Sequence, residues 1–146
     1  MGDMEAVEIL LVEDSATDAE MTMRALKRGS VANKIVWVKD GVEALEFIQC
    51  TGAYSQRHSG NPKLILLDYK MPRLDGMDVL KRLKSEPTTK TIPVVMLTSS
   101  AEESDVVESY QLGVNGYLVK PVDFKEFINV VSHAALFWLV MNKVPA

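Results

Sequence analysis

Four short apolar runs in this 146-residue chain each stop at side chains that suit one kind of chemistry. Ile9-Leu10-Leu11-Val12 ends at the acid pair Glu13-Asp14, and Leu64-Ile65-Leu66-Leu67 ends at Asp68. The run from Ile92 to Leu97 ends at the hydroxyl of Thr98, and Gly116-Tyr117-Leu118-Val119 ends at the ammonium of Lys120. Short apolar runs bounded by turn formers read as strands buried on both faces of a parallel sheet. In an open α/β sheet, sites form at the carboxyl ends of the strands where the strand order reverses. If the first and third strands are neighbours, Glu13, Asp14 and Asp68 crowd into one cleft. Like charges that close cannot all stay ionised without compensation. A hard divalent cation supplies it, and an oxygen donor set with retained waters suits Mg²⁺. His58 and His133 each stand alone and Cys50 is the single cysteine, so the pattern speaks against zinc or copper.

A cation-bearing carboxylate faced by a hydroxyl and an ammonium is equipment for phosphoryl transfer, where charge on the transferred oxygens needs clamps and the covalent work is small. Asp68 is then the nucleophile that forms an aspartyl phosphate. Thr98 donates to one phosphoryl oxygen and Lys120 pairs with another. Taken singly, each residue also has a structural reading. Asp14 or Ser15 can start a helix, Asp75 can shape a turn, a Thr after a strand is usually a turn residue, and a Lys before Pro is usually surface. Their coincidence on one sheet edge favours a site.

The elements that must hold these residues alternate regularly. After the first strand, Ser15 or Thr17 caps a helix with Ala19, Met23 and Leu26 inward, and Gly29 ends it. Lys34 to Val38 is a strand. Asp40-Gly41 turns the chain into a helix with Val42, Leu45 and Ile48 inward and Ala44 and Phe47 beside them. Gly52 to Pro62 is a loop, long for an α/β unit. A helix starts at Met77 and ends before Pro87, another spans Glu102 to Leu112, and Asp123 caps the last. That last helix carries Phe124, Phe127, Ile128, Val131, Ala135 and Trp138 at helical spacing. Five strands alternating with five helices predict a doubly wound parallel sheet with helices on both faces. The flavodoxin-like order 2-1-3-4-5 sets the first and third strands side by side, as the acids require.

Size and composition narrow the function. The length suits one domain, and 47% hydrophobic with 25% charged residues is ordinary for a soluble globular chain. A net charge of −4 argues against a nucleic-acid partner. One cysteine excludes an internal disulfide and suits a reducing compartment. The longest uninterrupted apolar run, Ala134 to Met141, is far short of the roughly 20 residues of a membrane span. A cytoplasmic protein with no membrane contact is expected.

With these residues in view, the chain resembles the response-regulator receiver domain of two-component signalling over essentially its whole length. The matching pieces are Ile9 to Asp14, Leu64 to Gly76, Pro93 to Ser99 and Gly116 to Pro121. The resemblance implies a flavodoxin-like receiver fold, Asp68 as phosphoacceptor, and Glu13 and Asp14 as the acid pair of a Mg²⁺ site with the Lys70 backbone carbonyl as a further ligand. It also implies Thr98 as the switch hydroxyl, Tyr117 as the switch aromatic, Lys120 as the phosphate-pairing lysine, and a cis Lys120–Pro121 bond. Within the family, Gly52-Ala53-Tyr54, Asp105 to Asn115, Lys120 to Phe124 and Phe137-Trp138-Leu139 are similar to cyanobacterial-phytochrome response regulators.

The expected function is that of a stand-alone response regulator. It accepts a phosphoryl group from a sensor histidine kinase, of phytochrome type on this resemblance, and signals by changed protein contacts. Alternatives are a phosphorelay shuttle to a downstream His domain and an aspartate-nucleophile phosphatase. The phosphatases place a second acid two residues after the nucleophile, where this chain has Lys70. The expectation is therefore a signalling protein that takes part only in its own phosphotransfer and autodephosphorylation. The last helix runs almost to Ala146, so residues 1–146 read as a single receiver domain with no output domain. Ala134 to Met141 is apolar all round, so Phe137, Val140 or Met141 must face away from the core. Self-association, by default as a twofold homodimer, is expected there.

Overall fold

The structure is a computed structural model that describes residues 9–28, 34–57, 60–69, 71, 73–99, 102–120, 125–126, 129 and 133. Its strands are β1 (Ile9–Val12), β2 (Ile35–Val38), β3 (Leu64–Leu67), β4 (Val94–Thr98) and β5 (Gly116–Val119). All neighbours run parallel, in the order β2-β1-β3-β4-β5. β1 sits between β2 and β3, with Leu11 opposite Trp37 on one side and Leu66 on the other. The expected topology is therefore present. The helices described along their length are α1 (Ala16–Arg28), α2 (Gly41–Gln49), α3 (Gly76–Ser85) and α4 (Glu103–Gln111), four where five were expected. Of the fifth, only Lys125, Glu126, Asn129 and His133 are described, and each is helical. Its apolar positions lie outside the described residues.

The central strands are apolar at every position because both faces are covered. Leu10, Val12, Ile65, Leu67, Val94 and Met96 pack with α2, α3 and with Leu112 and Val114 just past α4. Ile9, Leu11, Leu64, Leu66, Val95 and Leu97 pack with Ala19, Ala25 and Leu26 of α1. Leu10, Leu66 and Leu80 are among the side chains almost wholly removed from water, each such burial being worth about 2 kcal/mol.

Besides one-residue shifts at other element ends, β4 and the loop after α2 depart from the sequence expectation for identifiable reasons. β4 begins at Val94 rather than Ile92, because Pro93 has no N–H for the ladder, although its carbonyl still accepts from the Ile65 N–H at 3.0 Å. β4 extends through Thr98, whose carbonyl accepts from the Lys120 N–H at 2.7 Å. The loop after α2 contains a single 3₁₀ turn, Gly52–Tyr54, held against α2 by Tyr54 Oη donating to Glu43 Oε2 at 2.8 Å.

Two inward faces also differ. α1 buries Thr22 and Ala25 beside Ala19 and Leu26, leaving Met23 half-buried. Thr22 tolerates the core because its hydroxyl donates to the Asp18 carbonyl at 2.9 Å. α2 buries Gly41, Ala44, Leu45 and Phe47, with Val42 and Ile48 only half-buried. A Cβ on Gly41 would overlap the Leu74 carbonyl oxygen, so this helix start lies against the loop that follows β3.

Asp40 and Asp75 cap α2 and α3 by accepting from the Glu43 and Asp78 N–H groups. Arg73, at φ 66°, reaches back to Asp40 with contacts of 2.8–3.0 Å and ties the two βα loops together.

Candidate functional site

The carboxyl ends of β1, β3, β4 and β5 open onto a cleft of about 430 Å³. Glu13, Asp14, Asp68, Thr98 and Lys120 all line it, joined by Ser15, Asp18, Ser99, Glu102 and Asp105. The alternation of the strands explains how they meet. Continuing β1, β3 and β5 by one step puts Glu13, Asp68 and Lys120 in phase with Leu11, Leu66 and Leu118, which face α1. Thr98 is in phase with Met96, on the opposite face, and Met96 is the register partner of Tyr117. Tyr117 is half-buried against the same core as Met96.

Backbone hydrogen bonds fix the acids. The Asp68 N–H donates to the Val12 carbonyl at 3.0 Å, and the Glu13 N–H donates to the Val38 carbonyl at 3.1 Å. The Glu13 carbonyl accepts from the Trp37 indole at 2.7 Å. Glu13 and Asp68 are buried, whereas Asp14 is exposed. A Cβ on Gly76 would overlap the Asp68 carbonyl oxygen, so α3 starts directly against the phosphoacceptor candidate's backbone.

Lys120 extends into this cleft with its side chain 11% exposed. Its Nζ donates to Glu13 Oε1 at 2.7 Å and to Asp18 Oδ2 at 2.9 Å, and lies 3.9 Å from Asp68 Oδ1. Burial alone would disfavour the ammonium, but the hydrogen bonds to Glu13 and Asp18 outweigh it and raise its pKa. The acids answer in the opposite sense. Burial pushes Glu13 up to about 7 despite its hydrogen bond from Lys120, and burial likewise raises Asp68 against the pull of Lys120. Asp68 Oδ1 also accepts from the Tyr69 N–H at 2.9 Å, and with the ammonium this does not fully offset the burial of the two acids.

The donor chemistry fits a divalent cation. One carboxylate oxygen from each of Glu13, Asp14 and Asp68 lies within 4.8 Å of the others, an all-oxygen cluster of the kind hard cations take. Among the described residues no other group of three or more acids, histidines or cysteines is so placed.

Two features were not foreseen. Asp18 joins Lys120 from the first turn of α1. Tyr69, next to Asp68, donates its hydroxyl to Asp105 Oδ1 on α4 at 3.0 Å, and its pKa is pushed up to about 12 by burial and by that carboxylate. Asp18 is hidden in the sequence because Ser15-Ala16-Thr17-Asp18 reads as a helix-capping pattern. The Lys70 carbonyl, Phe137, Val140, Met141 and the Lys120–Pro121 bond lie outside the described residues. Among the described residues no helix is long and apolar enough to cross a membrane.

Comparison with known proteins gives a consistent result. Residues 9–132 match the response regulator receiver domain. The response regulator Rcp1 of Synechocystis sp. is 41% identical over 138 residues, covering 94% of this chain and 92% of that protein. The crystal structure of the phosphorylated cyanobacterial phytochrome response regulator RcpA superposes with a TM-score of 0.88 at 38% identity, covering 96% of this chain and 99% of that one. The Mn²⁺-bound form of Rcp1 gives 0.87 at 41% identity with the same coverage.

Proposed function

Because the chain belongs to the response regulator receiver domain family, we propose that it takes a phosphoryl group from a sensor histidine kinase onto Asp68 and signals through the resulting change in its protein contacts. The observation that carries this is the placement of Asp68. It is a buried carboxylate at the end of β3, in a cluster of acid oxygens with the Lys120 ammonium 3.9 Å away. In the reaction a bond forms between an Asp68 carboxylate oxygen and phosphorus while the phosphorus–nitrogen bond of the kinase phosphohistidine breaks. The histidine ring leaves with that bond's electron pair.

Glu13, Asp14 and Asp68 would hold Mg²⁺. Bound there, it offsets the repulsion between carboxylate and incoming phosphoryl group. Lys120 pairs with a phosphoryl oxygen, and Thr98, on β4 beside it, donates to another. The role of Tyr117 follows from its sharing a sheet face with Thr98: it occupies the space that Thr98 vacates on moving toward the phosphoryl group. Likeness to RcpA, a cyanobacterial phytochrome response regulator, supports a phytochrome-type kinase as donor. On this reading the chain turns over no substrate beyond its own phosphoryl group.

Acetyl phosphate with Mg²⁺ should add one acid-stable, base-labile phosphoryl group, and Asp68→Asn should abolish its incorporation. Chelating the cation should stop both gain and loss of the group. Label that survives undiminished in Asp68→Asn overturns the assignment.

A further inference from the structure

Ser15-Ala16-Thr17-Asp18 has the spacing of a capping box, in which the first residue's hydroxyl caps the helix and the acid three residues on takes the cap residue's own N–H. Only half of that box forms. Ser15 Oγ accepts from the Asp18 N–H at 3.2 Å, but the Ser15 N–H donates to Glu13 Oε2, also at 3.2 Å. The Asp18 carboxylate is thus relieved of cap duty, and its Oδ2 accepts from Lys120 Nζ at 2.9 Å instead. Its backbone is held at both ends, by Ser15 at the N–H and by Thr22 Oγ1 at the carbonyl. The arrangement places a carboxylate firmly on the α1 side of the cleft.

Lys120 consequently lies between anions of two kinds. Glu13 and Asp68 belong to the acid cluster that fits a divalent cation, and Asp18 does not. An ammonium 2.7 Å from Glu13 and 3.9 Å from Asp68 competes with any cation entering that cluster and repels it. The side chain is too buried to find its counter-ion in water, so a displaced ammonium needs another anion within reach. We infer that Asp18 is a positioning residue: it draws the Lys120 ammonium off Glu13 and Asp68 when the cation enters, and keeps it in the cleft for the phosphoryl group. The inference rests on reading the acid cluster as a divalent-cation site. An acid in the first turn of a helix also favours the helix dipole, but that contribution does not depend on Lys120.

Calorimetric titration of the full chain with Mn²⁺ separates these effects across wild type, Asp18→Asn, Lys120→Gln and the double variant. Gln keeps donors facing Glu13 without the charge, which protects the fold. With Lys120 present, Asp18→Asn should weaken Mn²⁺ binding by about fivefold, the size of coupling expected between contacting charged groups. In the Lys120→Gln background the same change should alter affinity by less than about twofold. Unchanged affinity in Asp18→Asn overturns the inference, as does an equal loss in both backgrounds, which would show that Asp18 acts only as a nearby negative charge. A wild type that takes up no Mn²⁺ removes the cation site itself, and the role of Asp18 with it.

Discussion

Thr98 shows how much one side chain can be asked to do. It is buried at the last position of β4, opposite Val119, and shares a sheet face with Tyr117 two positions along the ladder. A two-state element shifts only if it makes a different contact in each state, and a hydroxyl that meets the phosphoryl oxygens in one state alone is such a contact. A hydrogen bond to a charged group is worth about 1.5–3 kcal/mol, so losing it should lower the ratio of active to inactive state by about tenfold or more. Thr98→Ala is therefore expected still to accept phosphate from acetyl phosphate yet show a much weaker phosphorylation-dependent gain in partner binding. Full partner switching in the phosphorylated variant would rule this mechanism out.

The elements hold the site by close approach of backbones and by a few polar ties. α3 begins at Gly76, and any side chain there meets the Asp68 carbonyl oxygen. Gly76→Ala should cost about 2–3 kcal/mol by overpacking, read as a lower urea midpoint, and should slow phosphorylation by shifting the Asp68 backbone. An alanine variant as stable and as reactive as wild type would contradict the contact.

On the other side of α2, Tyr54 holds the 3₁₀ turn through Glu43 and packs edge-on against Phe47 at 5.1 Å between ring centres. Burial and the Glu43 carboxylate push the Tyr54 pKa up to about 12. A folded-state value above the unfolded one means that this tyrosine's contribution is complete below about pH 10 and is lost as pH rises through about 12. Tyr54→Phe should thus be less stable than wild type by about 1 kcal/mol at pH 8. The gap should close as chemical unfolding is repeated at rising pH above 10, and a constant gap would exclude the linkage.

At the scale of the whole molecule, the sheet is covered on both faces and the candidate site lies at its carboxyl edge, so on the proposed function signalling leaves through an outer surface. The apolar stretch Ala134 to Met141 is the part of the sequence that most suggests a contact between copies. Sedimentation should show a dimer at micromolar concentration, weakened in a Phe137→Glu, Val140→Glu variant. A monomeric wild type, or a variant dimer as tight as wild type, would remove self-association.

What the sequence determined by itself was the set of strands and the residues at their ends. Runs such as Leu64 to Leu67 are apolar throughout and stop sharply, so position and burial were legible without coordinates, and Asp68 followed from where its run ended. Strand order was harder to read: Glu13, Asp14 and Asp68 favour β1 beside β3, and the flavodoxin-like order is the known arrangement that supplies that adjacency. The inward faces of α1 and α2 were less legible: Thr22 is polar by type, and only its bond to the Asp18 carbonyl makes it a core residue. Asp18 itself needed the fold. Its local pattern is that of a helix cap, and what assigns it elsewhere is a hydrogen bond from Lys120, 102 residues away in the chain. Short-range spacing records what a residue does for its own helix. Which ammonium a freed carboxylate meets depends on the strands and helix that tertiary packing brings to one edge.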